Sequence, residues 1–383
     1  MRYLAYLFPI LINIMNGGMF FITAQRFEEE HYSKMFSTGT MVTWAFTYSI
    51  MSLVVGRFVN EARSAKLVCI ASLMLMCTMI GAIVFPSLNM QFVWMASLGT
   101  AGAIYCTSFQ VFMKSLENGK ANGVVRSTAL YTAAWSLGLG LGAFLFGIMD
   151  WRISYAINAC FALLISIGVI LIDVFCRRRV KPFPAQEAMN APEESGVEPL
   201  YRGRPNMVML GWIGGFLGTF TISILRTMEQ GRAVELGLSR FHSAMVLAVV
   251  SYVQALVGLM LIKGKLWMYN RMPLLLTGLC GILGLLGVGY MSSLPLLYLS
   301  AVLYGTFSCA FYFRFVFLAL VHPTKGGFYV SINEAMVGIS STVAPFCAGL
   351  MSKCLSISGI FTCCAVIVGL STVVQMFMAK DQH

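Results

Sequence analysis

Two ionisable side chains lie deep inside long apolar stretches, and chemistry is to be sought there first. Arg314 falls in the stretch 295–321 and Glu334 in the stretch 328–351. An ionised side chain inside a bilayer costs about 2.5–3.5 kcal/mol on the insertion scale, so such residues face a cavity or a partner. Each stands about two turns from one end of its stretch, at 3.6 residues per turn. Neighbouring antiparallel segments would place the two at similar depth, within reach of one another. Their chemistry would be recognition and proton exchange. A guanidinium offers a rigid fork to a carboxylate or similar anion, and a carboxylate that loses its cationic partner in a partly dry site takes up a proton. A permanent ion pair that merely satisfies both charges is the rival reading.

Other side chains fit a cavity lining around them. Tyr304, Phe307, Phe311, Arg314 and Phe315 follow helical i, i+3, i+4 spacing. Such a stripe usually packs or faces lipid, but an arginine on it would not face lipid at that depth. Asn13 and Asn16 lie at i, i+3 in the first stretch, Gln110 in the fourth and Gln254 in the eighth. Each could serve only as an interhelical hydrogen bond worth about 0.6 kcal/mol; as a set they suggest solute contacts. Arg226 and Glu229 read as an ordinary i, i+3 pair at the outer surface, and Glu28-Glu29-Glu30-His31 as a solvated acidic loop. Gly-rich phosphate loops, Ser/His/Asp sets and metal-binding His pairs are absent from the sequence. No enzyme, catalytic residue, metal or cofactor is expected, and no ATP hydrolysis within this chain.

The elements that must position these groups are membrane helices. The chain has 383 residues, 58% hydrophobic and 11% charged, with a mean hydropathy of +0.79; soluble domains carry roughly 25% charged residues. About 20 apolar residues in a helix cross a bilayer core. Runs of that length give twelve spans, near 3–25, 37–59, 67–86, 91–113, 127–149, 152–175, 207–229, 240–262, 273–291, 295–321, 328–351 and 356–378. Strands of a membrane barrel would be about 10 residues long, which excludes that class. The first segment could imitate a signal peptide, but its apolar run exceeds a signal core of about 7–15 residues and its loss would leave an odd number of spans. It is read as the first helix.

The net charge of +11 reflects topology and not nucleic acid. With the N-terminus cytoplasmic, the inside segments hold 18 of the 26 Lys and Arg and the outside loops 7, Arg314 lying within a span. Basic loops stay on the cytoplasmic side. The protein is therefore expected in the cytoplasmic (plasma or inner) membrane, as a monomer in the lipid bilayer with both termini inside. The 11 cysteines lie mostly within spans and form no C-x-x-C, so they read as small packing residues.

Residues 176–206 break the apolar pattern with Arg177-Arg178-Arg179, then Pro182, Pro184, Pro192 and Glu193-Glu194. Such composition marks a flexible linker. Six spans precede it and six follow, giving an N-terminal bundle 1–175 and a C-terminal bundle 207–383. A constant offset of 202 aligns Gly138 with Ser340, Gly142 with Ala344, Phe144 with Phe346 and Gly147 with Gly349. Small residues spaced by four allow close helix approach, and their recurrence in the fifth span of each six signals an internal repeat.

On these residues the sequence resembles the major facilitator superfamily over nearly its whole length. The family's loop between helices two and three reads G-x-x-x-D-R-x-G-R-R; here Gly56, Asn60 and Arg63 stand in it, with Asn60 at the aspartate position and Glu61 at the arginine. The resemblance implies that this loop is a cytoplasmic gate, with a weaker latch because Asn60 is uncharged. The fifth-helix motif G-x-x-x-G-P-x-x-G-G is met by Gly138, Gly142 and Gly147, with Ala143 in place of proline; its decay argues against drug efflux. The resemblance implies two pseudo-symmetric six-helix bundles, with helices ten and eleven facing a central cavity where Arg314 and Glu334 could pair. The expected function is secondary transport of a small organic solute, possibly anionic, by alternating access. A proton would be the coupling ion, through Glu334. Efflux of lipophilic compounds and a non-translocating receptor are the alternatives; the first needs an apolar cavity without Arg314, the second an absence of transport.

Overall fold

The computed structural model describes residues 2–30, 34–117, 123–146, 149–177, 207–261, 267–321 and 326–379. Twelve α-helices lie among them: α1 (Leu7–Glu29), α2 (Lys34–Gly56), α3 (Glu61–Val84), α4 (Met90–Glu117), α5 (Gly123–Phe146), α6 (Trp151–Arg177), α7 (Val208–Glu235), α8 (Arg240–Met260), α9 (Arg271–Tyr290), α10 (Leu294–Leu320), α11 (Gly326–Met351) and α12 (Ile357–Met378). The expected linker lies, from residue 178 on, outside the described residues, as do His31 and Gly147. Among the described residues ten helices, all but α1 and α5, meet the length and apolarity needed to cross a bilayer. α1 adds the shorter apolar stretch Leu4–Phe20. α5 carries buried Ser127, Thr128, Thr132 and Ser136, and it packs among α1, α8 and α10.

Large apolar side chains cover the outside. α6 exposes Leu163, Leu164, Ile167, Ile170 and Leu171, and α12 exposes Leu370 and Phe377. Faces this apolar require lipid as solvent, so the chain is a multi-pass membrane protein.

The packing repeats with a shift of six helices. In the first six, α1 packs on α5, α2 on α4, and α3 on α4 and α6. In the second, α7 packs on α11, α8 on α10, and α9 on α10 and α12. The seam between the bundles obeys the same exchange: α2 on α11 answers α5 on α8, and α4 on α11 answers α10 on α5. Two pseudo-symmetric six-helix bundles result. The offset read between α5 and α11 has a packing counterpart. A Cβ at Gly138 would lie 2.3 Å from the Ile10 carbonyl oxygen, and one at Gly142 2.6 Å from that of Ile14; Ser340 and Ala344 on α11 are fully buried.

The end where α1 and α7 begin and α6 finishes is called here the linker end. There α2 finishes against the start of α11: a Cβ at Gly56 would lie 2.1 Å from Ser331 Oγ, and one at Gly338 2.9 Å from the Ala45 carbonyl oxygen. α1 and α7, the innermost helix of each bundle in this packing, share no extensive contact. The far end is marked by Trp151, its ring flanked by Arg26 at 4.3 Å and Arg152 at 4.9 Å, an anchoring pattern suited to a membrane interface.

Candidate functional site

Glu334 is aimed by the residue before it. Asn333 is fully buried; its amide donates to the Phe315 carbonyl of α10 at 2.9 Å and its oxygen accepts from Trp212 Nε1 of α7 at 2.8 Å. Those two bonds fix α11 against its own bundle. The next residue, about 100° further round the helix, then points across the seam. Glu334 is 2% exposed. Its Oε2 accepts from the Tyr48 hydroxyl of α2 and its Oε1 from Gln110 Nε2 of α4. A carboxylate of one bundle is thus held by two neutral donors of the other. Among the described residues no lysine or arginine forms an ion pair with it.

Gln110 Nε2 also lies 3.4 Å from the Tyr131 hydroxyl of α5, while its Oε1 has no partner. Amide orientation is an assignment from the hydrogen-bond network, and a half-turn of this amide would offer Oε1 to a protonated Glu334. The pair can accommodate the carboxylate or the acid. Cys106, one turn before Gln110, sits beside Tyr48 and Tyr131.

Aromatic rings extend the site along the seam. Trp135 of α5 stacks on Tyr312 of α10 with centroids 5.2 Å apart at 22°. Tyr105, Phe109 and Tyr131 stack in series at 5.5 and 6.0 Å. Tyr312 lies within electrostatic reach of Glu334 and of Arg226 of α7. Arg226 does not pair with Glu229. Glu229 is 3% exposed and accepts from Ser243 of α8 at 2.7 Å, which leaves the arginine on the α10 side.

The remaining sequence candidates lie elsewhere. Arg314 is 3% exposed and turns away from Glu334, into the C-terminal bundle. Its guanidinium lies 5.3 Å over the Trp267 ring, and it borders a small cavity with Phe307, Phe311, Thr372 and Gln375. Nε and Nη2 of Arg314 have no hydrogen-bond partner, nor has Gln375 Oε1. The expected Arg314–Glu334 pair is not formed, because α10 presents Arg314 towards α9 and α12 while α11 presents Glu334 towards α2 and α4. The aromatic stripe is packing: Phe311 covers Gly218 and Phe315 covers Gly215 of α7, and Phe307 covers Gly281 of α9. The Tyr304 hydroxyl bonds Thr221 at 2.9 Å. Gln254 accepts from Ser308 at 3.4 Å within the same bundle. Asn13 donates to the Pro9 carbonyl of its own helix at 2.9 Å and Asn16 donates to Asn13 at 3.4 Å.

Of the gate residues, Gly56 lies in the seam. Asn60 caps α3, its side chain accepting from the Arg63 amide at 2.9 Å, and Arg63 is exposed. Tyr48, Tyr131, Trp135 and Tyr312 were not singled out by spacing. They are ordinary aromatic residues in apolar runs, and only the packing of four helices brings them to one carboxylate. No cluster of metal-ligating side chains occurs among the described residues, and the ten described cysteines are free thiols.

A buried carboxylate shared across the seam of two exchangeable six-helix bundles defines a membrane-transporter architecture. The chain belongs to the Major Facilitator Superfamily, whose sequence profile matches residues 6–319. No curated protein sequence matches it. Among solved structures it is similar to the human organic anion transporter MFSD10 (TETRAN), with a TM-score of 0.77 at 12% identity, covering 97% of this chain and 98% of that one. At that identity the likeness is one of fold.

Proposed function

We propose that this chain is a proton-coupled secondary transporter of a small organic solute, working by alternating access between bundles 1–175 and 207–383 joined by the linker 176–206. The observation that supports this most is Glu334: a carboxylate 2% exposed, inside the seam, tied to Tyr48 and Gln110 of the opposite bundle. As a carboxylate it accepts both bonds and latches the linker end. Once protonated it holds one donor fewer, the Gln110 amide turns, and the latch loosens. The closed end is taken as cytoplasmic, with Gly56, Asn60 and Arg63 at its rim. Gln110 keeps a place at the site; Arg314, Gln254, Tyr304 and Phe311 are read as interior packing of the C-terminal bundle. The organic anion transporter of the same fold is in keeping with an anionic solute.

The test needs a solute first. A thermal-shift screen can supply one, because a ligand at 100 times its dissociation constant stabilises by about 2.7 kcal/mol. In proteoliposomes, Glu334→Gln, which mimics the protonated acid, is expected to exchange that solute across the membrane but not to accumulate it against a gradient driven by pH. Normal pH-driven accumulation by the folded variant would end the proposal.

A further inference from the structure

We infer that Arg226 is the residue that recognises the solute, and that the solute is a small organic monoanion: a carboxylate or similar oxyanion on a flat apolar body. This rests on the transporter reading and adds the charge, shape and polarity of what is carried.

Arg226 lies within the span Val208–Glu235, 18 residues from its start, which is about 27 Å along a helix rising 1.5 Å per residue. It is only partly buried. Among the described residues it makes no hydrogen bond or ion pair: Ser243 occupies Glu229 at 2.7 Å, and Glu235 pairs with Arg232 at 3.0 Å. An unpaired guanidinium that is partly buried within a span faces the bundle interior or a water-filled cavity. Tyr304 and Tyr312 of α10 lie within electrostatic reach of it. Tyr304 is already bonded to Thr221, and Tyr312 is stacked on Trp135 of the other bundle. Arg226 therefore stands on the inner wall of the C-terminal bundle, above the stack that bridges the seam.

The same helix arithmetic orders the other groups. Glu334 is 8 residues from the linker end of α11 and Trp135 is 12 residues from that of α5, about 12 and 18 Å respectively. Counted along their own helices, Glu334, Trp135 and Arg226 thus stand progressively further from the linker end. Tyr48 and Gln110 seal the lowest charge, leaving it 2% exposed, so the charge presented to the space between the bundles is positive. A cationic solute would be repelled from it, and a neutral one would leave the guanidinium unused. An anion on Arg226 gains charge-assisted, two-pronged hydrogen bonds, and a flat body lies over Trp135, which is itself partly exposed. By the same rise Arg226 stands about 15 Å further than Glu334 from the linker end of its own helix.

Binding in detergent tests this without any transport step. Phenylacetate, indole-3-acetate and 2-naphthoate would each be titrated against the wild-type protein beside the matching neutral amide, following thermal shift and calorimetric affinity. At least one acid is expected to bind at millimolar concentration or better, and at least tenfold more tightly than its amide. Arg226→Gln should abolish that preference by weakening the acid and leaving the amide unchanged. Arg226→Lys should keep the preference at reduced strength, since lysine retains the charge but not the fork. The assignment is overturned if no acid binds, if amides bind as well as acids, or if Arg226→Gln or, should that variant not fold, Arg226→Lys binds acids as wild type does. Failure of the transporter reading appears separately, as a protein that binds these acids but moves none of them in proteoliposomes.

Discussion

Two nitrogens of Arg314 have no partner inside a bundle where the residue is 3% exposed. The Trp267 ring at 5.3 Å offers a cation–π contact worth about 2 kcal/mol when desolvated. Burying the ion costs several kcal/mol, so the contact does not offset it. Replacing a buried, poorly satisfied ion by a well-packed apolar residue is often neutral or stabilising by about 1–4 kcal/mol. Arg314→Met is accordingly expected to raise the melting temperature or leave it unchanged while solute uptake persists; a folded Arg314→Met without uptake would return this arginine to the transport mechanism. At this scale the sequence was half legible. A charge in an apolar run is easy to find, and Glu334 and Gln110 do meet. The direction of a side chain is not readable from spacing: Arg314 and Tyr312 are two residues apart on α10, yet one faces α9 and α12 and the other faces the seam. Arg226 was set aside because Glu229 stands at i+3, and only the position of Ser243 on α8 shows that Glu229 is occupied.

The helices approach one another through glycines whose positions decide how the seam can close. A Cβ at Gly338 would meet the Ala45 carbonyl oxygen at 2.9 Å and the Ser49 nitrogen at 3.0 Å, backbone atoms that cannot turn aside. At Gly56 the obstacles are the Ser331 hydroxyl at 2.1 Å and the Ser331 Cβ at 2.3 Å; the hydroxyl can turn aside, but the Cβ is fixed by the backbone. Overpacking costs about 1–3 kcal/mol, enough to shift a two-state equilibrium about 5- to 150-fold. Gly338→Val and Gly56→Ala are therefore both expected to part the bundles at the linker end. Spin labels at Arg63→Cys and Met272→Cys in a cysteine-depleted chain would register it as a longer distance, and an unchanged distance in Gly338→Val would show that the seam does not depend on this approach. The twelve spans were legible because apolar runs near 20 residues have one physical solution in lipid. The small-residue recurrence in α5 and α11 was legible too, but not the partners: Gly138 and Gly142 lie on α1, whereas the seam runs through Gly56 and Gly338, which no motif of small residues singled out as a pair.

For the molecule as a whole, the charge bias and the packing are independent signals that meet at one end. Arg57, Arg63 and Lys66 are exposed beside the seam contacts of α2 and α11, and basic loops of this kind stay cytoplasmic. Charge counts say nothing of which end is closed; that comes only from α2 on α11 and α5 on α8. On the proposed orientation, with the linker end cytoplasmic, the described state is closed to the cytoplasm, with Arg226 towards the outer side and Glu334 towards the inner side. A native probe for this orientation exists. Cys354 is exposed in the connection between α11 and α12, which lies at the far end because α11 begins at the linker end. Among the described cysteines, the other exposed ones, Cys77 and Cys160, lie within α3 and α6, where lipid keeps an aqueous reagent away. A membrane-impermeant maleimide added to right-side-out vesicles is expected to label Cys354, with the signal lost in Cys354→Ser, and to leave Arg63→Cys in that background unlabelled until the vesicles are inverted. Labelling of Arg63→Cys from outside, with Cys354 protected, would reverse the orientation, and the state described would then be closed to the exterior.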